Sequence, residues 1–154
     1  MNKTRTTKKL VAAASTAILS LALLGVGAGS ASAITFTDYC FDNLRSHTEV
    51  AGSLPNKALR CQMQAGPARK YGYTGKVDGV LGRQSWLAIQ KYLRANWALR
   101  GPITGTPDIH TYAAIQRAAN SSGLFNKPVV ADGTMALKDW QGWAYHVRIN
   151  FFAN

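Results

Sequence analysis

From Trp86 onward, apolar residues fall at Trp86, Ile89, Leu93 and Trp97, with Leu87 and Tyr92 widening the stripe. That spacing puts them on one helical face and predicts a helix starting near Arg83. A second stripe runs through Ile109, Tyr112, Ala113, Ile115 and Ala119, behind Pro107-Asp108. Asp108 stands where its carboxylate can cap the free N–H groups of a helix start. Gly101-Pro102 and Ser121-Ser122-Gly123 end the two helices. Tyr39, Phe41 and Leu44 predict a short helix carrying Cys40, and Leu59 to Tyr71 another carrying Cys61. Leu137, Trp140, Ala144 and Val147 mark a last helix. No stretch alternates with period two for long enough to predict a strand. The expected fold is all-α, a small helical bundle.

Displacing the chain by 26 residues sets Val77 on Ile103, Gly79 on Gly105, Ser85 on Thr111 and Trp86 on Tyr112. Ala88-Ile89-Gln90-Lys91 then falls on Ala114-Ile115-Gln116-Arg117 without a gap. A weaker copy is expected through "ADGTMALKDW", with Ala136-Leu137-Lys138 on Ala-Ile-Gln, and a fainter one at Ala58-Leu59-Arg60. The chain therefore reads as repeated loop-helix units.

The loop of the first unit, "GYTGKVDGVLG", is rich in glycine, yet it fits none of the common ligand loops. A phosphate loop needs Lys-Ser or Lys-Thr after its last glycine, and Arg83-Gln84 stands there. A calcium loop needs several acidic residues at alternate positions, and Asp78 is alone. The dinucleotide glycine pattern and its strand are absent as well. Asp78-Gly79 reads as a turn: the carboxylate accepts backbone N–H bonds and the glycine supplies positive φ. Val77, Val80 and Leu81 are expected to pin the loop to the core.

Asp78, Gly79, Gly82, Ser85, Ala88, Ile89 and Tyr92 or Leu93 together resemble the loop and second helix of the peptidoglycan-binding-like domain family, the small three-helix type. The following unit resembles a looser copy. It keeps Gly105, Thr111, Ala114 and Ile115 but has Thr104 and Asp108 in place of Asp78 and Gly82. The combination is similar to secreted actinobacterial proteins that carry tandem copies. The resemblance spans residues 57–123 and implies a bundle of this type that binds cell-wall peptidoglycan.

The ends fit such a setting. Lys3, Arg5, Lys8 and Lys9, an apolar run from Leu10 to Val26, and Ala31-Ser32-Ala33 read as a signal peptide over residues 1–33. Residues 34–56 are then an N-terminal helical segment carrying Cys40. Residues 57–123 form the tandem region. Residues 124–154 are either a degenerate third repeat or a separate C-terminal helix. Without the four leading cations, 14 basic residues stand against 7 acidic ones, a net charge of +7. Such an excess favours anionic wall polymers, or is simply a solvated basic surface. Lacking a basic stripe, the chain is a poor nucleic-acid binder. No membrane anchor is expected, and the expected state is a monomer. After export, Cys40 and Cys61 should pair as a disulfide.

Nothing in the sequence invites catalysis, and no cofactor or metal is expected. Glycan hydrolysis needs two carboxylates about 5–10 Å apart. Asp38 and Asp42 sit one helical turn apart but read as a solvated turn, and Glu49 lies in a polar stretch. His47, His110 and His146 are too scattered for a zinc motif and read as surface residues. "GRQSW" lacks the second glycine of a nucleophile elbow. What remains is recognition. Aromatic and cationic residues around the first loop nominate Tyr73, Asp78, Arg83, Trp86 and Gln90 as ligand-binding positions, with first contact at Tyr73 and Arg83. The expected partner is peptidoglycan or another anionic wall polymer. The alternatives are another secreted protein, bound or inhibited on the same scaffold, and, with less to favour it, a small cell-wall hydrolase.

Overall fold

The computed structural model describes residues 35–44 and 55–153. The segment read as a signal peptide, His47 and Glu49 lie outside the described residues. Within them the chain is all-α. Five α-helices run α1 (Asp38–Asn43), α2 (Lys57–Met63), α3 (Arg83–Asn96), α4 (Ile109–Ser121) and α5 (Leu137–Phe151). A π-helical turn, Gln64–Ala68, continues α2. Pro67 sits inside that turn and has no N–H to donate, so the α-ladder cannot pass through it unchanged.

Each helix starts where its local chemistry allows. The Asn56 side chain accepts from Leu59 N at 2.9 Å, and Asp108 from Thr111 N at 2.8 Å. Gly82 opens α3 without a side-chain cap. Ahead of α5, the Asp139 carboxylate accepts from Ala136 N at 2.6 Å. Ala136 is therefore the residue before α5, the place Gly82 and Asp108 hold before α3 and α4. The expected match of Ala136-Leu137-Lys138 with Ala88-Ile89-Gln90 fails for that reason. Gly142-Trp143-Ala144 stand at those helical positions instead. Ala58-Leu59-Arg60 likewise lies one turn too early, in the first turn of α2.

The helices pack in a closed ring. The π turn lies against α3, α3 against α4, α4 against α5, and α5 returns to α2 and the π turn. Leu59, Met63, Ile89, Leu93, Ile115, Trp140, Trp143 and Val147 fill the centre. The α4–α5 approach is close because Gly142 has no side chain. A Cβ there would stand 2.9 Å from Ala119 Cβ and from the Phe125 ring. Outside the ring, the Cys40–Cys61 disulfide joins α1 to α2 with both sulfurs buried. Thr37 N donates to Val77 O and Val77 N to Thr35 O, tying the segment before α1 to the first loop.

The loops are held from below. Gln64 Oε1 accepts from Asp78 N and Gly79 N at 3.1 and 2.8 Å, while its Nε2 donates to Val80 O at 2.9 Å. Gln90 Oε1 accepts from Thr104 N and Gly105 N at 3.0 and 2.8 Å, and Nε2 donates to Thr106 O at 3.0 Å. Gln116 Oε1 accepts from Gly133 N at 2.8 Å, and Nε2 donates to Thr134 O at 2.9 Å. In each loop a short side chain, that of Asp78, Thr104 or Asp132, accepts from the N–H two residues on. Gly79, Gly105 and Gly133 take φ of +78°, +79° and +81°, where an L side chain is strained.

Three expectations about burial change. Val80 and Ile109 are 68 % and 59 % exposed, so Val77 rather than Val80 pins the first loop. His146, read as a surface residue, is 1 % exposed. Its Nε2 lies 2.7 Å from Tyr92 Oη, its ring stacks on Trp143, and Trp97 meets it edge-on. Ser121 Oγ and Asn150 Nδ2 stand 3.3 Å from Nδ1. Trp97 Nε1 also donates to Tyr92 Oη, so the phenol oxygen is shared between the indole and the imidazole.

Two stability predictions follow from these buried polar groups. Replacing Gln90 by Ala leaves two loop N–H groups and a carbonyl without their partner and should cost about 3 kcal/mol in urea unfolding. Burial lowers the His146 pKa from 6.5 to about 4. The unfolded chain then binds the extra proton first, so stability is full above pH 6.5 and falls as the pH drops towards 4. The unfolding free energy should be about 2 kcal/mol smaller at pH 5 than at pH 7, and an equal value at both would contradict a neutral His146.

Candidate functional site

The five nominated residues do not gather at one surface. Gln90 is fully buried with both polar atoms bonded to the second loop, and Trp86, 8 % exposed, belongs to the core. Asp78 is turned into its own loop, accepting from Val80 N at 2.8 Å and from Gln64 Nε2 at 3.2 Å. Tyr73 is half-buried, and its hydroxyl donates to Lys76 O at 2.6 Å. Arg83 is exposed but leans away towards the second loop, where Nε donates to Thr104 O at 3.3 Å and its stem covers Gly105. Tyr73 instead shares a hollow of about 170 Å³ with Gly72, Thr74, Gly75 and Gln84.

A larger groove, of about 490 Å³, lies along the outer face of α4. Ile109, Ala113 and Arg117, spaced by one helical turn each, form its floor and one end. Arg100, His110, Ala131 and Asp132 complete its lining. Arg117 is fixed in place: Nε donates to Trp97 O and Nη2 to Ala98 O, both at 2.9 Å. Ala98 is the one non-glycine residue at positive φ among those described, at +50°. That conformation costs an alanine on the order of 1 kcal/mol, and the two guanidinium bonds hold the segment in it. Arg94 donates to Gly101 O from the other side and anchors the same loop.

The electrostatics of the groove are mixed. Hydrogen bonds from Thr134 N and then Gln116 hold the Asp132 carboxyl below its usual pKa, so it is ionised at neutral pH. The same lining carries two guanidiniums, an imidazole and the aliphatic side chains of Ile109, Ala113 and Ala131. Such a surface can bind an anionic group, an N–H donor and a small apolar body together. Among the described residues, no three His, Cys, Asp or Glu side chains gather closely enough to hold a metal ion. Asp38 and Asp42 are exposed on α1.

Sequence reasoning missed this groove because three separate segments build it. One signal was available. Under the 26-residue displacement Arg100 falls on Thr74 and His110 on Gln84, so a hydroxyl and an amide of the first hollow give way to a guanidinium and an imidazole in the second. Comparison with family models, with characterised proteins and with solved structures gave no match.

Proposed function

We propose that this chain is an exported, non-catalytic module, built of repeated latched loop-helix units, that binds bacterial peptidoglycan or another anionic wall polymer. The observation that carries the reading is the α4 groove, where Arg100, His110 and Arg117 surround an aliphatic floor on a domain of net charge +7 after the signal segment. Wall polymers offer the matching chemistry of carboxylates beside small apolar groups. Export is supported by the N-terminal signature and by the buried disulfide, a bond typical of oxidising compartments. No helix among the described residues is long and apolar enough to cross a membrane.

Recognition of a secreted protein is the second reading. It is favoured by the exposed aromatic rings of Tyr39 and Phe41 beside the disulfide, with Lys57 lying over the Tyr39 ring. Co-sedimentation with insoluble peptidoglycan separates the two. The exported chain should pellet at about 0.1 M salt and stay partly bound at about 1 M, where the screening length is only about 3 Å. Protein left wholly in the supernatant at the lower salt would refute wall binding, and complete release at the higher salt would reduce it to charge adhesion.

A further inference from the structure

We infer that the α4 groove recognises the C-terminal carboxylate of a short peptide with small aliphatic side chains. This deepens the wall-binding reading and rests on it for the biological source of such a peptide. The chemistry itself comes from the groove. Arg100, His110 and Arg117 supply donors to an anion, and Arg117 is held ready by its bonds to Trp97 O and Ala98 O. A guanidinium held in one plane matches a carboxylate with two parallel hydrogen bonds.

A bare anion does not account for the remainder of the lining. Ile109, Ala113 and Ala131 offer aliphatic surface, and Ile109 is left largely exposed there. The ionised Asp132 disfavours a second anionic group beside it, but it accepts an amide N–H. An anion, an N–H donor and small aliphatic groups in one molecule describe the end of a peptide. The volume of about 490 Å³ lies within the range of small-ligand sites.

The first hollow supplies an internal control. Gly72 and Ala98 both take positive φ, and a Cβ on Gly75 or Gly101 would run into Tyr73 or His110. The two loops thus share backbone features while Thr74 and Gln84 stand where Arg100 and His110 do. The matching loop forms with Thr74 and Gln84 at these positions, so its backbone does not require Arg100 and His110.

Isothermal titration with N-acetyl-alanyl-alanine, its C-terminal amide and inorganic phosphate tests the inference. The free acid should bind saturably, and the amide and phosphate each at least about tenfold more weakly. The double variant Arg100→Thr/His110→Gln gives these exposed positions the residues of the first hollow. It should keep the circular dichroism and urea midpoint of the parent and lose about tenfold in affinity for the acid. Equal binding of acid and amide, binding of phosphate as tight as the acid, no binding of the acid, or a variant that binds like the parent would each overturn the site. If the acid binds but the protein fails to pellet with peptidoglycan, the wall reading falls and the site stands.

Discussion

A primary amide buried among apolar side chains must place both its carbonyl oxygen and its N–H groups on partners inside the protein. Leaving one unpaired costs on the order of 1–3 kcal/mol. Gln64, Gln90 and Gln116 are buried in this way, and each meets the requirement with the backbone of the loop ahead of the following helix. Glutamine suits the task because one planar group carries an acceptor for the N–H of the turn and a donor for the carbonyl beyond it. The glycine that follows at positive φ turns the chain back over the amide, and an Asp or Thr closes the turn from outside. These three loops are thereby tied to the helices beneath them.

That fixation positions the surface. With the second loop held on Gln90 and the third on Gln116, the face of α4 is left between them as a groove. Its two rims come from segments whose backbone is already committed, on one side by Arg94 and Arg117 and on the other by Gln116. Inside the bundle, His146 joins α3 to α5 through Tyr92, and its burial makes the seam sensitive to acid.

The helices and the disulfide could be read from the sequence because their signals are local. Asp108 caps α4, the Trp86 stripe gives α3, and two cysteines leave one pairing. The 26-residue displacement also marked Gln90 and Gln116 as recurring, yet their role was hidden. A glutamine at the edge of an apolar stripe looks the same whether it faces a ligand or a buried turn. The register of the last copy was obscured because Gln116 reaches Gly133 across two more residues than Gln64 or Gln90 needs to reach its glycine. His146 was misplaced since a polar residue on a helix reads as solvated until its neighbours are known. Val80 and Ile109 were misplaced in the opposite sense, being apolar residues that the loops leave outside.

Hydrogen exchange at the amides of Gly79, Gly105 and Gly133 tests the central claim most directly. These N–H groups lie in loops, yet each donates to a buried glutamine. If the glutamines hold the loops as described, the three amides exchange as slowly as those in the middle of α3 and α4, by global unfolding. Exchange at the rate of the exposed loop amides beside them would show that the glutamine contacts open freely and would contradict the account.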